Sequence, residues 1–337
     1  MRGSSAAIRR RSLVLGGAAA ASLAPLAGAS AQGKIEATLA SVNTADYINP
    51  RMQMLFIDKV KQKTNGAVDI KWVGSGQLGG LKENLEAVIA GNLEMCGVAN
   101  ANLGPLSPGP MLFDLPFIFR DYDHMKKVTR GPIGQKVYQD FTDKTGIMLI
   151  MTGLPDGARS VWNRQRPVRT PADMKGLKLR VMQTPLLVDA FTLLGAIPAP
   201  MSSTEVYMAA KQGVIDGAEW GPLGMIEQKS YETAKYYTLT KHLNSPGSVA
   251  MGAKWYNGLS KAHQEAIMQS ADEARAWFDA QFDKEEAAAL EDVKRRGMEV
   301  IENPDIAPFV AAVRPVYDKY AERVGGWTMI QAVLDTK

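Results

Sequence analysis

The sequence predicts an α/β protein built as two similar lobes. Runs of strand length, apolar or alternating, take turns with amphipathic runs of helix length along most of the chain. One unit occurs twice: "LEAVIAGNLEMCGVAN" and "YMAAKQGVIDGAEWG" both pass from helix through glycine into a short strand opening on Leu/Ile-Glu/Asp. Length agrees, because a 31-residue leader would leave 306 of 337 residues, enough for two separate cores.

The leader comes first. "RRRSLV" at 9–14, the apolar stretch "LVLGGAAAASLAPLAGA" and the small residues "ASA" at 29–31 form a signal peptide pattern, with cleavage expected after Ala31. The arginine pair before Ser-Leu-Val fits the twin-arginine route, so the mature protein is expected in the periplasm. Gly/Ala richness and Pro25 argue against a membrane anchor. Four of the 39 bases lie in the leader (Arg2, Arg9, Arg10, Arg11) with no acid, which leaves 35 bases against 35 acids. A neutral mature chain gives no reason to expect nucleic acid as a partner. The single cysteine, Cys96, permits no internal disulfide and reads as apolar filler.

Element by element, "IEATLAS" alternates as a half-buried strand, and "RMQMLFIDKVKQKTNG" is an amphipathic helix stopped by Gly66. "VDIKWV" is the next strand, "LKENLEAVIA" a helix ending near Gly91, and "LEMCGVA" a third strand. "NANLGPLSPGPMLFDLPFIF" reads as loop with an apolar end, and "GIMLIMTG" as a buried strand. In the second half Thr170 caps "TPADMKG", with Pro171 at the first helical position and Asp173 in the first turn. "LKLRVM" is a strand, "TPLLVDAFTLLGA" a helix, "SSTEVYMAAKQG" a serine-capped helix ended by Gly213, and "VIDGAEW" a strand. From Ser260 to Arg296 there is neither Gly nor Pro. One continuous helix there would be roughly 55 Å long and would cross both lobes; two helices with an unsignalled break are the alternative.

Catalytic signals are thin. Gly74-Ser75-Gly76-Gln77-Leu78-Gly79 is a full G-x-G-x-x-G between strand and helix, which admits an exported NAD(P)-dependent oxidoreductase. A dinucleotide fold would place it after the first strand, however, and would close the next strand with an acid; here that strand ends at Asn100. The three histidines (124, 242, 263) have no metal-like partner at i+3 or i+4, a lone Cys is a poor nucleophile, and no cofactor is expected.

"SVWNRQRPVRTPADMKGLKLRVMQTPLLVDAFTLLGAIPAPM" followed by "EVYMAAKQGVIDGAEWGP" closely resembles the periplasmic substrate-binding proteins of tripartite ATP-independent periplasmic (TRAP) transporters, the C4-dicarboxylate-binding-protein-like family. "GSGQLGG", "DLPFIFRDYDH", "GPIGQ" and "PVYDKYA" carry the likeness over nearly the whole mature chain. The resemblance implies a two-lobed periplasmic binding protein fold with a hinge, crossing strands and a long bridging helix. It places lobe I at 32–155 plus 248–285 and lobe II at 156–247 plus 286–337. It implies a receptor that hands a small organic acid to the small and large membrane subunits of the transporter.

Site residues follow from the same resemblance. Arg180 matches the arginine that clamps the ligand carboxylate, a role suited to a planar fork of donors, and Arg159 matches the second basic residue. Asn100 falls where relatives present a polar side chain from the other lobe; Asn43, Tyr47 and Gln77 lie in loops expected to face the cleft. Met182, beside Arg180, and Glu219 complete the expected set. Where many members read Glu-Asn-Pro, this chain has Glu219-Trp220-Gly221-Pro222, and Ser203 stands about where a bulky aromatic is common. Some relatives with Glu-Trp bind 2-oxo or 2-hydroxy acids, occasionally through a cation. The expected ligand is therefore a 2-oxo, 2-hydroxy or aryl monocarboxylate in preference to a C4-dicarboxylate, with Trp220 either on the cleft wall or in the lobe core.

Overall fold

The computed structural model describes residues 34–155 and 157–337, so the predicted leader and its cleavage site lie outside the described residues. β1 (Ile35–Ala40), α1 (Ile48–Lys63), β2 (Val68–Val73), α2 (Leu81–Ala90) and β3 (Met95–Ala99) open the first lobe. After two 3-10 turns come α3 (Tyr122–Arg130), α4 (Pro132–Thr145) and β4 (Ile147–Pro155). The second lobe runs β5 (Arg159–Asn163), β6 (Lys178–Val181), α5 (Pro185–Leu193), β7 (Ile197–Pro200), α6 (Val206–Lys211), β8 (Gly217–Trp220), α7 (Pro222–Glu227) and β9 (Tyr236–Leu243). β10 (Pro246–Gly252) returns to the first lobe, followed by α8 (Ala253–Asn257), α9 (Lys261–Arg295), β11 (Glu299–Ile301), α10 (Ala307–Tyr320) and α11 (Gly326–Asp335).

The strands form two sheets, ordered β2-β1-β3-β10-β4 and β11-β9-β5-β8-β6-β7. β1 pairs in parallel with β2 and β3, as strand–helix–strand units require. β10 is antiparallel to both neighbours, and its Val249, Ala250 and Met251 are fully buried, which is why this central strand reads as a continuous apolar run. The chain changes sheet twice. β4 leads into β5 and β9 into β10, so an antiparallel ribbon passes from one lobe to the other, with Pro155 opposite Pro246 and Arg159 opposite Leu243. The second crossing occurs at 244–245, since Pro246 and Gly247 already pair with β4.

α9 is one helix of 35 residues, about 50 Å long at ~1.5 Å per residue. Ser260 caps it, accepting from the His263 backbone N–H, and Gly297 (φ +86°) turns the chain out of it. Ile267, Ala271, Ala274, Phe278 and Phe282 share the core of the first lobe, whereas Leu290 and Val293 pack into that of the second. The segment read as loop, 100–119, is instead mostly core: Leu112, Phe113 and Leu115 have no exposed surface. Its irregular backbone is tied down by Phe117 N–H donating to His242 O and Tyr317 O–H donating to Pro116 O.

The G-x-G-x-x-G turns a corner. Gly76 and Gly79 adopt left-handed φ (+65° and +113°), and a Cβ at Gly74 would collide with the Trp72 ring. At Gly80, the residue before α2, a Cβ would meet the Ser202 hydroxyl at 2.7 Å. The second lobe closes directly on this loop. Among the described residues, no helix is long and apolar enough to cross a membrane.

Candidate functional site

The carboxyl ends of β1, β3, β6 and β8, the first turns of α1 and the crossing loop before β10 surround a cavity of about 90 Å³. Strand ends of this kind are where open α/β sheets place ligands. Two arginines reach it from the second lobe. Arg180, on β6, donates from Nε to Met201 O at 2.9 Å. Arg159, at the start of β5, grips Glu219 with both edges of its guanidinium: Nη2 lies 2.9 Å from Oε1, Nε donates to Oε2, and Nη2 also reaches Glu219 O at 2.7 Å. Both cations lie over the indole of Trp220, with the Arg159 and Arg180 Cζ atoms 4.7 and 4.9 Å from the ring centroid.

All three charges are deeply buried, at 2 %, 3 % and 0 % exposure for Arg159, Arg180 and Glu219. Burial on this level is tolerated only when the charges are paired and hydrogen-bonded. Glu219 also stands 4.0 Å from Arg180 Nη1 and 3.8 Å from His242 Nε2. His242 is held neutral: burial is the main cause of a pKa lowered to about 4, with Arg159 adding to the effect and Glu219 opposing it.

The opposite wall joins the lobes. Asn43, just after β1, donates from Nδ2 to both oxygens of Glu227 at 2.7 Å, and Thr44 N–H donates to Oε1 at 3.2 Å. Glu227 ends α7 in the second lobe. Together with Tyr47 it also lines an outer groove of about 380 Å³, so these two side chains stand between groove and cavity.

Of the residues expected in the site, Asn43, Tyr47, Arg159, Arg180, Met182, Ser203 and Trp220 are on the cavity wall. Three are not. Gln77 is exposed on the outside of the glycine corner. Asn100 turns inward and donates to Pro110 O and Asp114 Oδ2, both at 2.7 Å. Glu219 lies behind the wall, paired with Arg159. Trp220 meets both expectations, because one buried ring belongs to the second-lobe core and also faces the cavity.

Sequence reasoning missed Asn49, Gln53, Glu227 and Ser245 on the wall and Asp114 behind it. A signal existed for the first two: Asn49 and Gln53 share the helix face of Phe56 and Val60, where apolar residues are the rule. Gln53 Oε1 accepts from Trp72 Nε1 at 2.9 Å, which leaves its amide nitrogen as the donor for the cavity. Among the described residues, no group of three or more His, Cys, Asp or Glu could hold a metal ion.

The pattern of bacterial extracellular solute-binding protein family 7 matches residues 40–323. The chain belongs to this family. It is 31 % identical to the 2,3-diketo-L-gulonate-binding periplasmic protein YiaO of Escherichia coli (strain K12), over 82 % of this chain and 85 % of that one. It is also 31 % identical to the C4-dicarboxylate-binding periplasmic protein of Rhodobacter capsulatus, over 81 % and 83 %. A TRAP periplasmic solute-binding protein from Roseobacter denitrificans, solved with bound β-D-glucuronate, superposes with a TM-score of 0.86 at 32 % identity, covering 90 % of this chain and 100 % of that one. Family 7 members are extracellular solute receptors, and the two-lobed α/β architecture is theirs. The oxidoreductase reading of the glycine motif has no support from these relatives.

Proposed function

We propose that this family 7 protein is a periplasmic receptor that closes on a small organic acid bearing one carboxylate and presents it to the membrane subunits of a TRAP-type transporter. The observation that carries the reading is the Arg180 guanidinium on the cavity wall, stacked on Trp220 and backed by the buried Arg159–Glu219 pair. A planar fork fixed at Nε by a backbone carbonyl is preorganised to receive a carboxylate through its outer nitrogens. Beyond the two arginines, the remaining charged side chain on the wall is Glu227. An acid there disfavours a second carboxylate, which supports a monocarboxylate over a C4-dicarboxylate. The relative solved with D-glucuronate agrees with that preference, and the dicarboxylate-binding relative makes it worth testing.

The lobes, expected at 32–155 plus 248–285 and at 156–247 plus 286–337, would move about the β4–β5 and β9–β10 crossings, with ligand contacts from both favouring closure. A thermal-shift screen of monocarboxylates against succinate and malate tests the reading, since a ligand at 100 times its Kd adds about 2.7 kcal/mol of stability. Stabilisation by monocarboxylates that is abolished in Arg180→Ala is expected. Tight succinate binding would remove the monocarboxylate preference, and no stabilisation by any acid would remove the receptor reading.

A further inference from the structure

The hydrogen-bond polarity behind the cavity specifies one more feature of the ligand. Pro110 O can only accept, so Asn100 must present its amide nitrogen there, at 2.7 Å. The second hydrogen of that nitrogen goes to Asp114 Oδ2, also at 2.7 Å. Oδ2 is therefore an acceptor. The other oxygen, Oδ1, accepts from Ser245 Oγ at 2.7 Å; above about pH 7, where Asp114 is ionised and has no proton to give, the serine hydroxyl is the donor. Asn100, Asp114 and Ser245 are 2 %, 2 % and 3 % exposed, so water does not compete for these bonds. Ser245 lies in the crossing from β9 to β10 and forms part of the cavity wall. With Asp114 ionised and the serine hydrogen committed to it, only oxygen lone pairs remain to face the ligand.

Resting on the receptor reading above, we infer that Ser245 is a specificity-determining acceptor, polarised from behind by Asp114, and that the ligand is a hydroxy acid whose hydroxyl donates to it. A ketone or aryl group at that place would leave the serine oxygen without a donor in a buried site, the kind of mismatch that discriminates strongly between substrates. The inference narrows the ligand class from 2-oxo, 2-hydroxy or aryl acids to hydroxylated ones. Arg159 and Tyr138 are the charged and titratable groups that interact electrostatically with Asp114. Burial raises the Asp114 carboxyl to about 7, against the Ser245 and Asn100 bonds and Arg159, so the test belongs at pH 8, where the group is ionised.

Calorimetry at pH 8 would measure D-glucuronate, D-erythronate and the single-deoxy derivatives of each, with the full mature chain. In wild type, deleting the one hydroxyl that meets Ser245 is expected to weaken binding about tenfold or more. In Ser245→Ala the same deletion should change affinity less than about threefold, the coupling a double-mutant cycle reads. Asp114→Asn should also lose the discrimination while keeping the serine, because the new amide nitrogen can donate to Oγ and turn its hydrogen into the cavity. If that variant fails to fold, wild type and Ser245→Ala decide. Equal binding of all deoxy acids by wild type, a deletion effect that persists in Ser245→Ala, or a preference for 2-oxo or aryl acids would overturn the inference and leave the receptor reading intact. No binding of any carboxylate would overturn both.

Discussion

Arg180 and Arg159 share a charge type and an indole but differ in what they can do for a ligand. Arg159 is committed to Glu219 at three points, so what it would offer a ligand carboxylate is mainly electrostatic. Arg180→Ala is expected to weaken binding by about 2–5 kcal/mol, the range for removing one partner of a buried charge pair. Arg180→Lys should bind poorly as well, because an ammonium cannot span two carboxylate oxygens from a stem fixed at Met201 O. Calorimetry showing Arg180→Lys near wild type would rule out a bidentate clamp. The buried His242 and Asp114 make a separate prediction. Between about pH 4 and 6.5 the unfolded chain protonates His242 but not Asp114, whereas the folded protein, with pKa values of about 4 and about 7, does the reverse. The two proton counts balance, so this pair leaves stability flat across that window. Asp114→Asn exposes the histidine's half: relative to wild type, its stability should fall by roughly 3 kcal/mol as pH drops from 6.5 to 4. Parallel pH profiles from urea unfolding would refute that. The arginines and Trp220 were legible because they sit in quotable motifs. Ser245 and Asp114 were not, since they are 131 positions apart in sequence and acquire meaning only when the ribbon brings them together.

The helices and strands were largely readable, and the exceptions have physical causes. "VDIKWV" and "LKLRVM" alternate as strands on a half-buried surface must, and both formed. Residues 100–119 carry Gly and Pro, which signal turns correctly, but turns can still be buried when side chains and distant backbone satisfy their polar groups. The long C-terminal run was open between one helix and two, because local sequence does not reveal that packing against both lobes would keep it whole. Gly66 and Gly157 allow a test of what glycine does in these elements. Their φ values are alike, +77° and +81°, yet a Cβ at Gly66 meets nothing within 4 Å, whereas one at Gly157 comes within 2.7 Å of Gly221 Cα. Gly66→Ala should cost about 1 kcal/mol, the backbone strain alone. Gly157→Ala adds a backbone collision at the first crossing and should cost about 1–3 kcal/mol more by denaturant unfolding. Equal losses would mean that the crossing relaxes without penalty.

The two lobes meet through the crossing ribbon, α9 along the back, the packing of residues 116–124 against β9, α10 and α11, and the mouth. The first two are covalent or helical and persist through any hinge motion. The mouth is built differently, from the Asn43 and Thr44 bonds to Glu227 and from the glycine corner lying against Ser202 and Thr204. Asn43→Ala removes two of those bonds without touching either arginine. Tyr47 and Glu227 separate the cavity from the outer groove, and a bound acid leaving by that side must wait until they part. Its residence time then includes the opening of the Asn43–Glu227 contact, a step that every acid shares, in addition to the breaking of its own contacts with both lobes. Stopped-flow displacement should therefore show Asn43→Ala releasing ligand about tenfold faster, in line with the loss of a charge-assisted bond. Acids of quite different affinity should each leave Asn43→Ala faster than wild type by a similar factor, because the lost contact is the protein's own. A receptor with such a latch lengthens the hold on every acid it carries by the same factor, so the protein sets a minimum delay before any cargo is given up.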